Sequence, residues 1–174
     1  MNTKFIITRN AGILAATALG AFAVSGSMAS PADKPSDADN FYKSGRVSQQ
    51  EVKFNNQYRM KVAGNLFLPK DMDKEARCPA IIVGHPMGAV KEQSANLYAA
   101  KMAERGFVTL ALDLPFWGGS DGEPRNSVSP DMYAEAFSAA ADYLGTRPFV
   151  DRDRIGVIGI CGSGSFAISP STSV

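Results

Sequence analysis

The chain has 174 residues, 18 Lys and Arg against 17 Asp and Glu, a formal charge of +1, and 45% hydrophobic residues. This is an ordinary globular composition, and charges of both signs are scattered, so no basic stripe for nucleic acid is expected. One His and two Cys cannot compose a His/Cys zinc site, and no acidic cluster resembles a calcium loop, so neither a metal nor another cofactor is expected.

The opening "MNTKFIITRN" is followed by the apolar run "AGILAATALGAFAV" and by "SGSMAS". Lys4 and Arg9, a short apolar core, and small residues at Ser27 and Ala29 read as a secretory signal peptide over residues 1–29, cleaved after Ala29. The run is shorter than the roughly 20 residues of a membrane span. A secreted or periplasmic protein without a stable membrane anchor is therefore expected. Residues 30–48, opening "SPADKPSDADN", read as a flexible linker.

The rest, residues 49–174, reads as one α/β domain. "QQEVKF" and "MKVAGNLFLP" flank "NNQYR" and predict an antiparallel strand pair ended by Pro69. From Cys78 onward the rhythm changes. "AIIVG", after Cys78 and Pro79, is a short, wholly apolar run, as in a strand covered on both faces, and "FVTLALD" is a second buried strand. Between them "KEQSANLYAAKMAERG" predicts a helix with Leu97, Ala100 and Met102 on its apolar stripe and Gly106 at its stop. After the Gly- and Pro-rich loop "LPFWGGSDGEPRNS" comes a second helix, with Ser129 as N-cap, Pro130 at its first position and Gly145 past its end. "RIGVIGI" is a third buried strand. A leading antiparallel pair followed by parallel β-α-β-α-β is the expected fold. In such a sheet Cys78 and Cys161 lie at opposite edges, so they should not form a disulfide even in an oxidising compartment.

The stretch "VIGICGSG" carries the chemistry. A nucleophile elbow needs small residues two before and two after the nucleophile, because the strand turns sharply into a helix. Gly159 and Ser163 hold those places around Cys161. Backbone N–H groups where the next helix begins favour developing negative charge at this point. The loop "GHPMGAV" follows the first buried strand. There Pro86 has no N–H, so Met87 is the expected second oxyanion donor, beside that of Gly162. Taken alone, Cys161 would be an inert small residue in a tight turn; its place in the elbow makes it the candidate nucleophile. Ser163, also flanked by small residues, is the lesser candidate because it lies inside the helix. His85, the one histidine, is either a base or a structural residue. Asp113 and Trp117 either shape the pocket or belong to a plain turn.

At these residues the chain resembles the α/β-hydrolase superfamily, with "GHPMG", "DLPFWGGSDG" and "GICGSG" after successive strands. The likeness is greatest to the dienelactone hydrolase branch, with its exported bacterial hydrolases and related fungal polyketide transferases. The resemblance implies a hydrolase of small ester or lactone substrates with a cysteine nucleophile, and it assigns His85 to ordering the oxyanion loop. It also implies that the triad acid and His follow later strands. The chain then corresponds to the N-terminal half of the fold, with Pro170 breaking the elbow helix and the strand before Cys161 left as an exposed apolar edge. On that reading it is a C-terminally truncated form, inactive or very weak alone. Two other readings compete. "GSGSFA" fits G-x-G-x-x-A and could mark a dinucleotide-binding Rossmann-type protein, and the Trp117 loop could serve a non-enzymatic exported binding module.

Overall fold

The computed structural model describes residues 41–73 and 75–171. The signal-peptide reading of residues 1–29, and residues 30–40 of the linker, lie outside the described residues.

The elements are β1 (Val47–Asn55), β2 (Lys61–Pro69), β3 (Cys78–Gly84), α1 (Ser94–Ala103), β4 (Val108–Leu112), α2 (Pro130–Gly145), β5 (Val150–Gly159) and α3 (Ser163–Ser171). They build a five-stranded sheet in the order β1-β2-β4-β3-β5. β1 pairs antiparallel with β2, and β2 antiparallel with β4. β3 sits between β4 and β5, parallel to both.

Alternation along the central strands sorts the core into two layers. Val62, Leu66, Ile82, Leu110 and Leu112 pack against Tyr133, Phe137 and Leu144 of α2 and Ala167 of α3. Phe67, Ile81, Val83 and Ala111 pack on the other face against Ala95, Ala99, Ala100 and Ala103 of α1. Both faces of β3 and β4 are covered, which is why these strands read as mainly apolar without alternation; Thr109 of β4 donates its hydroxyl to Ala99 O at 2.9 Å.

Four expectations need correction. The linker ends before residue 48: the Tyr42 hydroxyl donates to Glu104 Oε1 at 2.5 Å, Lys101 Nζ stands 3.8 Å from the Tyr42 ring centre, and Val47 already opens β1. The core face of α1 is its alanines, whereas Leu97 and Met102 are half-buried; small side chains let that helix approach the sheet closely. Gly145 is the last residue of α2 rather than the one beyond it, and a Cβ there would stand 3.4 Å from Arg152 Cγ. α3 continues through Pro170 to Ser171. Proline in a last turn forfeits one intrahelical hydrogen bond, which is tolerable there.

Among the described residues β5 is a sheet edge, and β3 is its neighbour on one side. Arg152, Asp153 and Arg154 are exposed, and so is Val157 at 40%. The strand expected to be buried is thus a partly exposed edge, with Ile155 and Ile158 half-buried.

Candidate active site

The chain leaves β5 through a tight turn at Cys161 into α3. Ile160 N–H still donates to the Gly84 carbonyl of the neighbouring strand at 3.2 Å, and Gly164 N–H donates to Cys161 O at 3.0 Å as the first turn of α3 forms. Between them Cys161 takes φ +55°, the left-handed region. A residue with a Cβ pays about 1–2 kcal/mol for that conformation, and such strain concentrates at functional sites. Cys161 is exposed and unpaired. Gly159 is required by close approach, since a Cβ there would lie 2.5 Å from the backbone of Ser163 and Gly164.

Ser163 is buried, and its hydroxyl donates to the His85 carbonyl at 2.5 Å. It is therefore no second nucleophile. It ties the start of α3 to the loop after β3.

That loop is shaped by His85. Leu114 N–H donates to His85 Nε2 at 3.1 Å, which places the ring proton on Nδ1, and Nδ1–H donates to the Pro86 carbonyl at 2.7 Å. Burial pushes the His85 pKa down; the Pro86 hydrogen bond and the Asp113 charge oppose the shift without reversing it. A neutral ring with both nitrogens engaged has no free lone pair for proton abstraction. These two hydrogen bonds tie the ring to Leu114 and to the Pro86 carbonyl.

The Pro86 carbonyl also accepts Ala89 N–H at 3.1 Å. Its peptide unit with Met87 is trans, so the Met87 N–H points the opposite way from this doubly held oxygen. Met87 lies beside Gly162: a Cβ on Gly162 would stand 3.3 Å from Met87 Sδ and 3.6 Å from Met87 Cβ. Among the described residues neither the Met87 nor the Gly162 N–H donates a backbone hydrogen bond. Both N–H groups are thus without a backbone acceptor, and the Met87 side chain lies against Gly162, the residue after the exposed cysteine.

Asp113 and Trp117 prove to be structural anchors. Asp113 is fully buried, accepting Lys91 N–H at 2.8 Å, Lys91 Nζ at 2.7 Å and Gly119 N–H at 2.8 Å. Trp117 Nε1–H donates to the Tyr133 hydroxyl at 2.7 Å, which donates onward to Ser127 O at 2.7 Å. The Tyr133 ring meets Phe166 of α3 edge-on at 5.1 Å. Sequence reasoning missed Lys91 and Tyr133. Lys91 did carry a signal, because a cation just before a helix N-terminus opposes the dipole and calls for a buried anion. Among the described residues no group of three or more His, Cys, Asp or Glu gathers as a metal site.

The family model of the dienelactone hydrolases matches residues 62–174, from β2 through the Cys161 turn and beyond. The chain belongs to the dienelactone hydrolase family. Its relatives include the Pseudomonas aeruginosa protein PA2218, 53% identical over 72% of this chain and 34% of that protein. A thiohydrolase of Aspergillus aculeatus is 33% identical over 68% of this chain and 36% of its own length. The crystal structure of PA2218 superposes with a TM-score of 0.74 at 50% identity, covering 79% of this chain and 42% of that one. The α/β hydrolase GrgF from Penicillium gives 0.67 at 25% identity, covering 73% and 42%. The chain spans about a third of the length of the curated relatives it matches and covers part of the α/β-hydrolase fold. Within that fold "GSGSFA" is the turn into α3 after the third parallel strand, not an opening dinucleotide-binding turn.

Proposed function

We propose that this dienelactone hydrolase family member cleaves ester or lactone bonds of small molecules, with Cys161 as the nucleophile of a strand-to-helix elbow. The observation that carries the reading is the left-handed backbone of an exposed cysteine at the start of α3. The Cys161 thiol gives up its proton to water, the thiolate attacks the substrate carbonyl carbon, an S–C bond forms, and the C=O π electron pair moves onto oxygen. The N–H groups of Gly162 and Met87 hold that oxyanion; one such donor contributes about 10²–10³ in rate. Collapse expels the alkoxide, which takes a proton from water and leaves a thioester on Cys161. The names of the fungal relatives, thiohydrolase and polyketide transferase, support thioesters as further acyl donors.

Hydrolysis of the acyl-enzyme needs a base to prime water. His85 is committed on both nitrogens, so within this chain the first half-reaction outruns the second. The basic start and apolar run of residues 1–29 support an exported hydrolase. The test is the time course with p-nitrophenyl acetate: slow release of about one equivalent of nitrophenol per chain, lost in Cys161→Ala. Steady multiple turnover would show that a residue of this chain does serve as base.

A further inference from the structure

The loop that carries the Met87 donor is held at its far end by a buried ion pair, in which Lys91 Nζ also reaches the half-exposed Glu92 at 2.5 Å, and at its start by the residue that follows the pair's carboxylate. At its start, His85 receives Leu114 N–H from the residue after Asp113. At its far end, Lys91 gives Asp113 both its backbone N–H and its ammonium, one to each carboxylate oxygen. The side chain of Asp113 is 0% exposed and that of Lys91 9%. Burial alone would lower the Lys91 pKa, but hydrogen bonds and charge from Asp113 and Glu92 raise it, so the ammonium stays charged. Gly119 N–H shares the Asp113 Oδ2, and the Asp113 backbone is locked on both sides. Its N–H donates to Ala63 O at 2.9 Å and its carbonyl accepts Ser120 Oγ–H at 2.8 Å. Ser120 Oγ in turn accepts Ala63 N–H at 2.9 Å. The pair is thereby referenced to β2 and β4, inside the sheet.

A buried ion pair is poor evidence of stability, because desolvation of both charges offsets their attraction. It is better evidence of a geometry that has to be held. We infer that Lys91 and Asp113 are positioning residues for the oxyanion hole: they clamp residues 85–91 so that the Met87 N–H faces the substrate oxygen beside Gly162. This rests on Cys161 and Met87 acting as proposed above. The pair touches no substrate and acts through the peptide unit between Pro86 and Met87. A displacement of about 1 Å in such a donor can cost on the order of 10²-fold.

The test compares two reactions of the same sulfur in the full chain. Acylation by p-nitrophenyl acetate builds an oxyanion, whereas alkylation by iodoacetamide is a displacement at saturated carbon and builds none. Lys91→Met alone would strand a buried carboxylate and risk unfolding. The deciding variant is therefore Lys91→Met/Asp113→Asn, which buries no unpaired charge and offers one amide oxygen where the carboxylate offered two. The expected result is an acylation rate at least about tenfold lower with alkylation within about twofold of the parent, and partial recovery of acylation in Lys91→Arg. An unchanged ratio of the two rates, including a parallel fall in both, overturns the clamp. Hydrogen exchange at Ala89, whose N–H is held by the Pro86 carbonyl, separates this failure from failure of the nucleophile assignment. Faster exchange in the double variant, with no acylation of the parent chain, would sink the nucleophile and keep the clamp. Unchanged exchange would sink the clamp whatever the parent does.

Discussion

Replacing Cys161 by glycine and by alanine tests whether the turn is strained. At an ordinary helical position Ala is more stabilising than Gly by about 0.5–1 kcal/mol, because glycine loses more backbone entropy on folding. At φ +55° the order should reverse. A Cβ in the left-handed region costs about 1–2 kcal/mol, and removing it outweighs the entropy term by about 0.5–1 kcal/mol. Cys161 is exposed, so neither substitution forfeits much buried surface, and the Gly–Ala difference isolates the backbone. Urea denaturation of both variants should place Cys161→Gly above Cys161→Ala at equal m-values. Alanine equal to or above glycine would refute the strain argument and remove the main physical reason for reading this turn as functional.

Three further outcomes follow from the same contacts. His85 titrates lower in the folded chain than its unfolded value of about 6.5. The unfolded state therefore takes up the proton first, and stability should fall as pH drops below about 6.5, by up to about 1.4 kcal/mol per pH unit; His85→Gln should lack this dependence, and a parent chain without it would refute the buried neutral ring. Tyr133→Phe strands the Trp117 Nε1–H and the Ser127 carbonyl and should cost about 1–3 kcal/mol, read by thermal unfolding together with the emission of Trp117, the one tryptophan. Cys78 pairs in register with Val150 and Gly84 with Gly159, so the two thiols stand at opposite ends of the strands, roughly 20 Å apart at about 3.3 Å per residue; both should be alkylated without reductant, and a disulfide would refute the register.

The fold was legible where one side chain decides. Short, mainly apolar stretches without alternation marked β3 and β4, and Pro130 marked the start of α2. The sequence did not show that β2 would join β4, because strand order depends on crossovers rather than on any one segment. α1 misled for a related reason. Its largest apolar side chains attracted the core assignment, yet its alanines make the close contact. At the site, the spacing of Gly159, Cys161 and Ser163 was readable because the turn is local. The Lys91–Asp113 pair, 22 residues apart, and the Trp117–Tyr133 contact, 16 apart, are made by tertiary packing, and one sequence carries no record of who meets whom.

The central claim is that Cys161 attacks acyl carbonyls, and the most direct measurement is the location of the acyl group. The full chain is exposed to p-nitrophenyl acetate, quenched in acid before the thioester is lost, cleaved, and mapped by mass spectrometry. One acetyl group on the peptide holding Cys161, with Cys78 unmodified and the label absent after iodoacetamide pretreatment, is the predicted result. Acetyl on Ser163, on both cysteines equally, or only on surface lysines would contradict it.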